Sequence, residues 1–211
     1  MTYLFLLLFS LPSLLFGLTT GPFITISNTG GNSTPQIAVS SGGNASAIWL
    51  NFPNTIQFAY FNAATGLWTP PLNLAVGSNA QIGIDGVGNT IVVWVSQNQI
   101  FASRFNVPTL TFSPPVQLSS LGGSNNSPKL AVNDVGTAVV VWLQNNFTVL
   151  SASLNPATLL WTTIPISFAP TTILGSSTYP AAFGLDNSNK GLAIFQTVPQ
   201  NIIQVTRILA P

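Results

Sequence analysis

The chain has 211 residues, only 3% of them charged, a formal net charge of +1, and no His, Glu or Cys. An average soluble domain is roughly a quarter charged. The missing residue types exclude Ser-His-Asp and Cys-His nucleophile systems and ordinary zinc, haem or iron–sulfur sites. With three isolated Asp and no Glu, a paired-carboxylate hydrolase is disfavoured, and the near-zero net charge leaves no electrostatic footprint for nucleic acid.

Residues 1–20 stand apart. Tyr3 to Leu18 is mostly Leu and Phe, broken by Ser10, Pro12, Ser13 and Gly17. That run is shorter than the about 20 apolar residues a membrane helix needs. Followed by Gly17, Thr19 and Thr20, it reads as an export signal, although no Lys or Arg precedes it. An uncleaved anchor is the other reading. The expected location is secreted or cell envelope. Residues 21–211 read as one domain, with repeats at about 33–77, 78–123, 124–177 and 178–211, the last joined by 21–30.

The repeat is ungapped over thirteen positions. Ile37-Ala-Val-Ser-Ser-Gly-Gly-Asn-Ala-Ser-Ala-Ile-Trp49 aligns with Ile82-Gly-Ile-Asp-Gly-Val-Gly-Asn-Thr-Ile-Val-Val-Trp94. Leu130 to Trp142 and Phe183 to Phe195 are the other two copies. Each predicts a hairpin. Ser40, Asp85, Asn133 or Asp186 opens the turn by bonding backbone amides, and Gly43, Gly88, Gly136 or Asn189 accepts the positive φ that ends it. The second strand of each hairpin is a continuous apolar run, as in strands buried on both faces.

A third strand follows at Ile56–Asn62, Ile100–Asn106, Val149–Asn155 and Ile203–Leu209. A fourth comes after an aromatic and, in two copies, a Pro pair, within Trp68 to Leu74 and Phe112 to Leu118, with a longer version beginning at Trp161 and running to Leu174. Four strands in about 45 residues is the unit of a propeller blade. The last copy lacks its fourth strand, and Gly21–Ser27 resembles one. The expected fold is therefore all-β: a β-propeller of four blades with four antiparallel strands each, closed by the N-terminal strand on the C-terminal blade. Such closure also implies a complete chain.

The copies resemble the Pro-x-Val-Ala-Val-Asp-x-x-Gly-Asn-Ala-x-Ala-Val-Trp repeats of secreted bacterial β-propeller proteins, most closely at Pro35 to Trp49 and Pro128 to Trp142. The resemblance implies the fold and no particular activity. The Ser/Thr-x-Asp-x-Gly spacing of sialidase Asp-boxes is not kept. A small outer-membrane barrel and a half-propeller that dimerises are rival architectures. The Val139-Val140-Val141-Trp142 run argues against the alternating strands of a barrel.

Two roles compete at each notable position. Asp85 and Asp186 form a cation-binding ring or simply turns, and Ser and Asn at the equivalent places favour turns. Trp49, Trp94, Trp142 and Phe195 are stacking platforms or inter-blade packing, with packing favoured. Arg104 and Arg207 hold an anion or are solvated. Lys129 and Lys190 read as surface charges. The loops of one rim carry Asn32, Asn51, Asn54, Asn79, Gln97, Gln99, Asn125, Asn126, Gln144, Asn146 and Asn201, with Phe52, Phe147 and Tyr179 among them. Neutral amides beside aromatic faces suit a glycan or a peptide backbone, although polar loops are also ordinary. Sequons occur at Asn32, Asn44, Asn125 and Asn146.

The expectation is an exported, non-catalytic binding module without catalytic residues, metal or cofactor. Its partners are a protein, peptide or glycan, not nucleic acid. The alternative is a surface scaffold that self-assembles through its blade edges.

Overall fold

Strand-forming runs separated by Asx- and Gly-containing turns dictate antiparallel hairpins, and four sheets result. The computed structural model describes residues 23–28, 30–146, 148–164, 177–198 and 202–209, and these contain strands and turns but no helix. The expected export signal lies outside them.

The first sheet contains β1 (Asn32–Val39), β2 (Ala45–Asn51), β3 (Thr55–Asn62), β4 (Leu67–Trp68) and β5 (Leu72–Val76). The second repeats the plan with β6 (Ser78–Ile84), β7 (Thr90–Ser96), β8 (Gln99–Asn106), β9 (Thr111–Phe112) and β10 (Val116–Gln117). The third has β11 (Asn125–Val132), β12 (Ala138–Gln144), β13 (Thr148–Leu154) and β14 (Trp161–Ile164). The fourth has β15 (Ser177–Leu185), β16 (Lys190–Val198) and β17 (Ile202–Leu209). The hairpin turns use the residues the repeat predicts: φ is +83° at Gly43, +102° at Gly88, +90° at Gly136 and +61° at Asn189.

Side chains of a strand alternate between the two faces of its sheet, and here each face meets a different neighbour. Trp94 and Val92 of β7 pack on Ile48, Phe58 and Tyr60 of the first sheet. The intervening Ile91 and Val93 pack on Trp142 and Val140 of the third. Val139 and Val141 in turn meet Ala193 and Phe195 of the fourth. The repeat aromatics Trp94, Trp142 and Phe195 therefore lie on the leading face, toward the preceding sheet, and the residue before each lies on the trailing face. This two-sided burial is the physical reason that these strands are apolar throughout.

Two expectations need revision. The fourth strand of the first two repeats is not continuous. Pro70-Pro71 and Pro114-Pro115 interrupt it, because proline supplies no ladder N–H. The last donors before the break are Thr69 N to Tyr60 O and Ser113 N to Arg104 O, each at 2.8 Å. The aromatic thus belongs to a separate two-residue strand. The pairing of Ile24 and Ile26 with the last strand is also not formed. Residues 23–28 join no sheet, and Ile26 packs instead on Ala47, Trp49 and Ala59 with Trp68.

Candidate functional site: the innermost strands and their rim

At the hairpin-turn end, the carboxylates hold backbone. Asp85 Oδ1 accepts from Val87 N and Asn89 N, and its Oδ2 accepts from Asn89 Nδ2 at 2.8 Å. The Arg104 guanidinium stands 3.9 Å away. Asp186 Oδ1 accepts from Ser188 N and Lys190 N, both at 2.8 Å. Asn133 does the same neutral work toward Thr137 N. No group of three acidic, His or Cys residues is assembled for a metal among the described residues.

The repeat aromatics are buried, and the sheets satisfy them differently. Trp49 Nε1 donates to Gln57 Oε1 at 2.9 Å, and Gln57 Nε2 donates on to Asn73 Oδ1. Trp142 Nε1 donates to Asn125 Oδ1 at 3.0 Å. The Trp94 ring stacks on Phe101, centroids 6.0 Å apart. A buried indole N–H needs a partner, so these positions are occupied by the fold.

The opposite end gathers the amide-rich rim, but many of its amides bond one another. Asn51 Nδ2 donates to Asn32 Oδ1, and Asn126 Nδ2 donates to Asn146 Oδ1, both at 2.9 Å. Asn125 is buried and donates to Asn98 O, Gln99 Oε1 and Gly123 O. Gln99 is also buried and bonds Gly123 O and Ser119. Gln144 is half-buried at the end of β12. Asn54, Asn79 and Gln97 are exposed. Asn201 and Phe147 lie outside the described residues, and Tyr179 is placed as a backbone position of β15.

The three innermost strands meet below this rim around a cavity of about 300 Å³. Each carries a β-bulge, between Ser33 and Gln36, Ser78 and Gln81, and Asn126 and Lys129. At each bulge one residue has a left-handed backbone: Thr34 at φ +49°, Asn79 at +50° and Ser127 at +53°. A bulge re-aims side chains. Here Thr34, Gln36, Ser78, Asn79, Gln81, Ser127 and Lys129 line the cavity together with Trp49. Gln36 Nε2 and Gln81 Nε2 both donate to Ala80 O, at 2.7 and 2.9 Å, which leaves their carbonyl oxygens as acceptors. Of this set, Thr34, Ser78, Asn79 and Ser127 belong to the rim loops expected from the sequence, and Gln36 and Gln81 do not. Lys129, read as a surface charge, is half-buried and lines the cavity. The overlooked signal was Pro35 and Pro128, because a proline inside a strand marks a bulge.

A second cavity of about 470 Å³ opens between the second and third sheets. Arg104, Thr111 and Ser113 line it, with Phe112 and Trp161 as apolar walls.

No family model and no curated protein matches this sequence. Solved structures do. A fucose-binding lectin of Aleuria aurantia, described as a six-bladed β-propeller, superimposes with TM-score 0.56 at 15% identity over 86% of this chain and 59% of its own. A polysaccharide lyase, an ulvan lyase bound to a saccharide, superimposes with TM-score 0.56 at 10% identity over 82% of this chain and 55% of its own. The fold is of the β-propeller type. The chain spans under two thirds of these structures, and at such identities the likeness is one of architecture.

Proposed function

We propose that the protein is an exported, non-catalytic propeller that binds a neutral saccharide at the bulged innermost strands. The observation that carries this reading is the central cavity, where amides and hydroxyls converge beside Trp49 with Lys129 as the one charge. A sugar presents hydroxyls that both donate and accept, and paired amides match that pattern without a charge. The size suits one or two sugar rings, at the small end of ligand pockets. A fold neighbour that recognises fucose, a neutral sugar, supports the choice of ligand class. The lack of His, Glu and Cys leaves no side chain whose ordinary pKa suits general base work near neutrality, which supports binding without turnover.

Glycan-array binding of the chain from residue 21 onward tests this. Asn79→Gly keeps the left-handed backbone and removes the amide, and Gln81→Ala removes an acceptor. Each is expected to weaken binding by about two- to tenfold, since a lost hydrogen bond to a sugar hydroxyl costs about 0.5–1.5 kcal/mol. An array without signal, or variants that bind unchanged, overturns the reading.

A further inference from the structure

Among the described residues the two ends of the sheet stack are bare, whereas every internal junction is covered. Ile82 and Ile84, Leu130 and Val132, and Phe183 and Leu185 all lie against the preceding sheet. Their equivalents in the first sheet, Ile37 and Val39, are 62% and 61% exposed. At the other end, Leu192, Ile194, Ile203 and Val205 face away from the third sheet and are 54%, 36%, 60% and 60% exposed. Glycines record the same difference. A Cβ on Gly83 would meet Val132 of the next sheet at 2.4 Å, whereas a Cβ on the equivalent Gly184 meets nothing within 4 Å.

Residues 23–28 add a second, independent observation. Leu74 packs on the aromatic core of the second sheet, and Leu118 packs beside Trp142 of the third. Both come from the outermost segment of the preceding sheet. Ile26 takes that same place on Trp49. The segment thus sits where the outermost strand of a preceding sheet would lie, and none of the described residues supplies the rest of that sheet. The fourth sheet has the complementary deficit, since β17 is its edge and no described strand pairs with its outer side. The stack also superimposes on 59% of a six-bladed propeller.

We propose that the chain assembles end to end with a second copy. The trailing face of the fourth sheet takes the leading face of the partner's first sheet, and the partner's residues 23–28 add to β17 as its missing strand. The register follows from the repeat. Phe58 pairs with Leu72 and Ala102 pairs with Val116, so Val205 pairs with the partner's Ile24. Such a contact is heterologous and builds rings or open filaments rather than a two-fold dimer. Strand addition to an open edge supplies the ladder bonds, and the apolar faces exclude water.

The chain contains no Cys, so introduced thiols report without background. Chains carrying Ile24→Cys and chains carrying Val205→Cys are mixed under mild oxidation. The expected result is a mixed disulfide dimer that forms at least about tenfold faster than either chain dimerises alone, because docking raises the effective thiol concentration. Light scattering of the unsubstituted chain is expected to give a mass that rises with concentration. Ile203→Lys with Val205→Lys, on an exposed face and checked for folding by circular dichroism, is expected to return it to monomer. A doubly substituted Ile24→Cys, Val205→Cys chain that forms its disulfide within one monomer overturns the proposal in favour of ring closure. A chain that stays strictly monomeric at high concentration overturns it as well.

Discussion

Tyr60 shows how one residue carries several constraints. It lies on the trailing face of β3, packs against Phe105 with ring centroids 5.3 Å apart, and is 1% exposed. Burial pushes its phenol above the ordinary value of about 10, and the nearby Asp85 carboxylate adds to the rise. A group whose pKa is higher in the folded state contributes stability below its unfolded value and loses it as pH rises through the folded one. The melting temperature is therefore expected to fall as pH rises above about 10, and Tyr60→Phe is expected to flatten that limb. Calorimetry from neutral to alkaline pH checks both. Tyr60 occupies the repeat position of Arg104, Ser153 and Arg207. Its burial could not be read from that comparison, because Arg207 at the bare end is exposed.

At the scale of the strand, alternation explains both what is conserved between copies and what differs. The aromatic and the residue before it point to opposite neighbours, so both must be apolar, and the sequence copies agree there. The innermost strands carry Gly or Ala at the trailing position, at Ala38, Gly83, Ala131 and Gly184, and at Gly83 the next sheet approaches closely, whereas none of the described residues comes near Gly184. Gly83→Ala is expected to destabilise by about 1–3 kcal/mol through overpacking against Val132. Gly184→Ala, with open space around it in the single chain, is expected, at concentrations where the chain is a monomer, to be neutral or to stabilise by about 0.5 kcal/mol through the unfolded chain. Denaturant unfolding of the two variants measures the contrast. Strand number was harder to foresee than strand position. The Pro pairs read as the starts of strands, whereas the ladder runs up to them and resumes beyond.

For the whole molecule, the scarcity of charge shapes both stability and solubility. Among the described residues the ion pair between half-buried Arg104 and buried Asp85, at 3.9 Å, is long, and Asp85 spends its oxygens on Val87 N, Asn89 N and Asn89 Nδ2 instead, so the pair contributes little. The melting temperature is expected to shift by less than about 2 °C between dilute buffer and about 1 M sodium chloride. Sodium sulfate is expected to raise it by strengthening apolar burial. Scanning fluorimetry across both salts checks this. Weak charge repulsion also leaves the bare end faces with little to oppose association.

Local chemistry in the sequence decided the hairpins, their turn residues, the all-apolar strands and the fourfold repeat. Each depends on residues within a few positions of one another: an Asx side chain bonding amides, a Gly or Asn at positive φ, an uninterrupted apolar run. The candidate site was legible only as a rim rich in amides. Which amides are spent on one another, and that bulges at Thr34, Asn79 and Ser127 turn neighbouring polar groups into a shared cavity, depends on three strands from three repeats converging. The unmet ends were decided the same way. Ile37 and Leu192 look like their buried counterparts in sequence, and only the stacking order of the sheets shows that nothing in the described chain covers them.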